Sequence, residues 1–186
     1  DTEGNGATTV AALNAGASDA CGIASVTASQ TEFDCTDVGN QTVVLTATDQ
    51  SGNINTCTAT VSVIENTAPV AVCQDITVSL TSDGTRVVES SEVDNNSSDN
   101  CPGGIESRTL DINTFDCSDI GTPTTVTLTV TDKSGNSSTC TASISVEDNI
   151  APQALCKNIT VQLNASGSAM VTAAEVDNGS SDACGI

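Results

Sequence analysis

From Val126 to Val146 apolar and polar positions alternate: Val126, Leu128 and Val130 interleave with Thr127, Thr129 and Thr131, and the alternation resumes at Cys140, Ala142, Ile144 and Val146. A period of two predicts a pair of β-strands with one buried and one wet face. The break between them, Asp132-Lys133-Ser134-Gly135-Asn136, has the residues of a tight turn and predicts a hairpin. The hairpin is written twice. Phe33 to Asn53 reads F-D-C-T-D-V-G-N-Q-T-V-V-L-T-A-T-D-Q-S-G-N, and Phe115 to Asn136 reads F-D-C-S-D-I-G-T-P-T-T-V-T-L-T-V-T-D-K-S-G-N.

Internal repetition extends over the whole chain. Cys57 and Cys140, Cys73 and Cys156, and Cys101 and Cys184 are each 83 positions apart. Residues 67–149 are one complete unit; residues 1–66 match it without its first strand, and residues 150–186 match only its beginning. Within the complete unit, alternation and turn residues predict a first strand over Ala71–Leu80, a turn at Ser82-Asp83-Gly84 and a second strand near Arg86–Glu89. A loop from Asp94 to Asn100 comes next, then a strand over Ile105–Ile112 and a corner from Asp116 to Pro123 ahead of the hairpin. About seven short strands per repeat, with helices given little room, fit an all-β sandwich.

Composition narrows this picture. Of 186 residues 37% are hydrophobic but only 1% aromatic, with Phe33 and Phe115 the two rings, so each core is filled by aliphatic side chains and cystine. A formal net charge of −20, from 24 acidic and 4 basic residues, argues against nucleic acid or an anionic membrane as partner and in favour of cations. Nine Cys without a single His or C-x-x-C pair point to an oxidising compartment and disulfides in place of structural zinc. No long apolar run stands in the sequence. The expected localisation is secreted, extracellular or cell-surface, without membrane insertion.

The pattern A-P-x-x-x-C near the start of the unit, S-D-N-C-P-G-G-I in its middle and T-V-T-L-T-V-T-D-x-S-G-N-x-S-T-C-T at its end resembles the hyalin repeat and its bacterial immunoglobulin-like relatives. These occur in tandem in secreted surface proteins and adhesins. The resemblance implies tandem immunoglobulin-like β-sandwich repeats with an adhesive or architectural role, and no catalytic residues. The F-D-C at Cys35 and Cys117 departs from the family pattern and adds a second disulfide. In an immunoglobulin-like sandwich the starts of the first and last strands lie at one end, which pairs Cys73 with Cys140 and leaves Cys101 for Cys117, and likewise Cys21 for Cys35. Cys57, Cys156 and Cys184 are then expected to bond outside this stretch. Pairing of Cys73 with Cys101 and Cys117 with Cys140 stays open.

In the same sandwich, acidic loops meet the incoming linker. Asp94, Asp99, Asp132 and Asn136 are expected around the junction of Glu65 and Asn66, and Asp148 and Asn149 of the next linker to face Asp177 and Asp182. These are hard oxygen ligands, and V-E-D-N-I-A-P resembles the calcium-binding linker of cadherins, so calcium is the expected cofactor. Turn formation by the same Asp and Asn is the competing reading. Absence of His, of G-x-S-x-G and of a phosphate loop argues against an enzyme.

The expected function is a structural segment of a secreted filament, stalk or adhesin shaft whose partners are neighbouring repeats or copies of itself, head to tail. The alternative is a ligand- or carbohydrate-binding adhesin module, which the shortage of aromatic rings disfavours. The first repeat lacks a first strand and the third supplies one, which is read as covalent continuation of the chain in preference to strand donation between subunits.

Overall fold

The computed structural model describes residues 4–185, so the outermost residues of the first and third repeats lie outside the described residues. The first repeat carries β1 (Gly6–Ala7), β2 (Ile23–Ala28), β3 (Glu32–Phe33), β4 (Gly39–Asp49) and β5 (Ile54–Val63). The complete repeat carries β6 (Ile76–Ser79), β7 (Thr85–Val87), β8 (Ile105–Leu110), β9 (Thr114–Asp116), β10 (Thr124–Asp132) and β11 (Ser137–Glu147). Single-turn helices at Val10–Leu13, Ser90–Val93 and Ala173–Val176 mark one equivalent position in the three repeats. The class is all-β, as the alternation requires.

In the complete repeat a four-stranded sheet in the order β6-β11-β10-β8 and a two-stranded sheet β7-β9 form the β-sandwich. Val126, Leu128, Val130 and Ile144 are fully buried, and the intervening Thr127, Thr129 and Thr131 are half-buried. Phe115 on β9 is 3% exposed. In the first repeat the sheet is β2-β4-β5, with β1 paired to β3. There Val43 and Leu45 take the places of Val126 and Leu128.

Two details differ from the sequence reading. The strand expected from Ala71 begins only at Ile76, because Val70 and Cys73 first bridge to Ser98 and Asp94 and the chain then crosses to pair in parallel with β11, Ile76 opposite Ile144. The segment after β7, read as strand and loop, closes a helical turn at Ser90–Val93. Glu92 accepts from the Glu89 amide there, and Val93 is fully buried.

Three disulfides are formed: Cys73–Cys140 within one repeat, Cys35–Cys101 from the first repeat to the second, and Cys117–Cys184 from the second to the third. This corrects the expected pairs Cys21–Cys35 and Cys101–Cys117. Cys184, expected to bond outside the stretch, is joined to Cys117. The physical cause lies in the F-D-C corner. Asp34 and Asp116 each cap a 3-10 turn that begins at the cysteine, Asp34 accepting from the Thr36 amide at 2.7 Å and Asp116 from the Ser118 amide at 2.8 Å. The turn aims each thiol at the following repeat's S-D-x-C.

The described residues group into two compact units, neither of which follows the repeat boundaries. One holds the chain up to Ala71 with Ser97–Ser107 and Val130–Ser138; the other holds Val72–Asn96, Arg108–Thr129 and the chain from Thr139 on. Each contains one of the disulfides that join successive repeats.

Leu128 sits at the centre of β10, so Leu128→Ala is expected to cost about 2–5 kcal/mol. Thr125→Ala, on the exposed side of the same strand, is expected to cost no more than about 0.5 kcal/mol. Urea midpoints of the oxidised protein measure both; equal costs would show that β10 does not carry the core.

Candidate functional site

The hairpin turn is organised by one carboxylate. Asp132 is 2% exposed; its Oδ1 accepts from the amides of Ser134 and Asn136 at 2.9 and 2.8 Å, and its Oδ2 from Asn136 Nδ2 at 2.8 Å. Asn136 Nδ2 also donates to Glu65 Oε2 at 2.9 Å. Glu65, Asp132 and Asn136 are therefore together, as expected of the first junction. Burial raises the Asp132 pKa, but the bonds from Asn136 and Ser134 outweigh it and hold the carboxyl below its ordinary value. The equivalent Asp49 makes the same turn, accepting from the amides of Ser51 and Asn53 and from Asn53 Nδ2. The turn closes without a linker carboxylate, so turn formation accounts for Asp132 and Asn136 by itself.

The remaining candidates divide. Asp94 is bound by Arg108 at 3.0 Å, which neutralises it. Asp99 accepts from the Cys101 amide at 3.1 Å, while its Oδ1 and that of Asn100 are buried without a hydrogen-bond partner. A cavity of about 120 Å³ is lined by Glu65, Asn66 and Asn100 beside the Cys35–Cys101 disulfide. In the third repeat, carboxylate oxygens of Asp148 and Asp182 lie within 4.8 Å of one another, next to Cys184. Cys184 is oxidised and offers no thiolate. Asp177 is turned to the Ser180 hydroxyl at 2.5 Å, and Asn149 donates to Ser79 Oγ at 2.9 Å. The expected second cluster thus contracts to Asp148 and Asp182.

Sequence reasoning missed the residues that make room for the disulfides. Gly84, at φ 71°, stands so close to Cys117 that an added Cβ would lie 2.9 Å from Sγ. Its equivalent Gly4, at φ 75°, stands closer still to Cys35. Any L-residue there would meet both sulfur and backbone strain. For Gly84 the signal was present in Ser82-Asp83-Gly84, read only as a turn.

No family model and no curated protein matches the chain. Among solved structures, protocadherin gamma B7 extracellular cadherin domains 1–4 align with a TM-score of 0.35 at 15% identity, over 76% of this chain and 46% of that one. The chain spans under half of that protein's solved length, and a likeness of this size carries no argument here.

Asp132→Ala strands two amides and the Asn136 side chain in a buried turn and is expected to cost about 1–3 kcal/mol. Asp49→Ala, in the more exposed copy, should cost less. Denaturant midpoints of the two variants compare them directly, and an equal or larger loss at Asp49 contradicts the assignment. Acid should act on the same turns. The pKa values of Asp34, Asp49, Asp116 and Asp132 are all lowered in the folded state from 3.8, so their contribution is complete above that value and is lost as pH falls through the lower folded values. Amide exchange at Ser51 and Ser134 should accelerate only below the ordinary carboxylate range.

Proposed function

We propose that this chain is a structural segment of a secreted extracellular filament, stalk or adhesin shaft. The observation that carries the reading is covalent: the F-D-C cysteine of one repeat bonds the S-D-x-C cysteine of the next, twice in succession, at separations of 66 and 67 residues. Each boundary between repeats then has two covalent connections, the peptide linker and a disulfide that spans it. A hinge crossed by two connections bends less than a linker alone, and a tensile load is shared between them. The likeness of the repeat to hyalin-type and bacterial immunoglobulin-like sequences supports an architectural role. So does the disulfide content, which needs an oxidising compartment. Among the described residues no helix is long and apolar enough to cross a membrane.

Calcium at the junctions is the finer part of this proposal. The donors fit a hard cation: Glu65, Asn66 and Asn100 offer only oxygen ligands around a small cavity, one of them a buried orphan oxygen, and Asp148 with Asp182 repeats the pairing of acids. A bound cation would offset the repulsion between the gathered carboxylates. Asp94 and Asp177, engaged by Arg108 and Ser180, are left out of this set.

Native material extracted without reductant is expected to contain species far larger than 18.6 kDa that appear as thin fibres in electron micrographs. A homogeneous globular species of that mass would defeat the filament reading. Removing calcium with a chelator should lower the melting temperature and shorten the particle in scattering; no change in either would leave turn formation as the whole role of these carboxylates.

A further inference from the structure

The two disulfides that join successive repeats also close covalent loops. Cys35–Cys101 spans 66 residues and Cys117–Cys184 spans 67. The loops follow one another along the chain without overlapping, and only residues 101–117 lie between them. A pull that enters ahead of Cys35 and leaves beyond Cys184 therefore has a short covalent route: through the first disulfide, along residues 101–117, and out through the second. The backbone of residues 36–100 and 118–183 is off that route. Cys73–Cys140 joins one loop to the other, and a detour through it is longer than residues 101–117.

The folded material is distributed to match. Among the described residues, every buried apolar side chain except Phe33 and Phe115 belongs to one of the two loops. Val43, Val88 and Val93 lie fully buried in the first, and Val126, Leu128, Val130 and Ile144 in the second. The exceptions are the chain's two aromatic rings, 5% and 3% exposed, and each stands just ahead of a junction cysteine, Cys35 or Cys117. The segment on the route contains β8 and β9. It is held by Phe115 in the core, by the pairing of β9 with β7, and by Arg108, whose Nε donates to Asp94 at 3.0 Å.

We infer that the crossing disulfides make this chain a length-limited tether, in which tension bypasses the residues that form the cores and is carried by residues 101–117. That tension arrives along the chain rests on the filament reading. While the fold holds, linker and disulfide share the load across each boundary. Once contacts yield, the shorter covalent route becomes taut first and the loops stay slack. A slack loop keeps its ends together, so its strands re-form at a smaller entropic cost when the load falls. Fully extended, residues 101–117 with one disulfide span about 60 Å per repeat, against about 280 Å for all 83 residues. A compact fold of that size is about 30 Å across, so a linked repeat lengthens about two-fold where an unlinked one would lengthen about nine-fold.

The test stretches the full chain, tethered by peptide tags at its two ends, in optical tweezers with and without dithiothreitol. At high force both forms are unfolded, and the oxidised form is expected to be shorter by about 450 Å, the contour of loops of 66 and 67 residues. The double variant Cys73→Ser, Cys140→Ser should keep the same oxidised limit even where it unfolds at lower force. Closed repeats, with Cys21–Cys35 and Cys101–Cys117 beside Cys73–Cys140, would shorten the chain by only about 280 Å, and their limit would lengthen in the double variant. A difference of that size or smaller, or a longer limit in the double variant, overturns the inference. The stretch needs no filament, so it tests the load path alone, while the size of the native material tests the filament reading.

Discussion

Two disulfides that leave their own repeat, Cys35–Cys101 and Cys117–Cys184, are the constraint on which the rest of the structure depends. Each repeat is small and without Trp or Tyr, and its buried residues are mostly Val, Leu and Ile. Such a core contributes little surplus over conformational entropy. In the chain-entropy account, closing a loop of this length adds about 4 kcal/mol. That is comparable to the whole stability of a domain this size. A crossing disulfide makes one repeat's stability depend on its neighbour, which a string of independent domains does not require.

The local chemistry serves those links. The capping carboxylates Asp34 and Asp116 fix the turn that presents the thiol, and Gly4 and Gly84 leave space for the sulfur. The same acid-rich composition that keeps the turns closed also loads each junction with negative charge. Arg108 relieves it at Asp94, while Glu65, Asp148 and Asp182 have no basic side chain in an ion pair among the described residues.

Much of the fold was legible in the sequence. Alternation placed β10 and β11 to within a few residues, and the 83-residue spacing placed the equivalent cysteines. The Cys73–Cys140 link followed from the end at which the first and last strands meet. The other two links were misread because the repeat was taken as a closed unit, so that the nearest unpaired cysteine looked like the partner. Their signal was in the numbers: Cys35 to Cys101 and Cys117 to Cys184 have nearly the same separation as Cys73 to Cys140. At the junctions, residue type correctly grouped Glu65 with Asp132 and Asn136. It could not show that Asp94 is taken by Arg108, since that pairing joins a loop to β8 across 14 residues.

The measurement that bears most directly on this account is a disulfide map of the unreduced protein by peptide mass spectrometry, with free thiols blocked at acid pH. The account predicts Cys35 joined to Cys101, Cys117 to Cys184 and Cys73 to Cys140. Recovery of Cys101 joined to Cys117 and Cys21 to Cys35 would return each repeat to a closed unit and contradict the covalent continuity on which the filament reading stands.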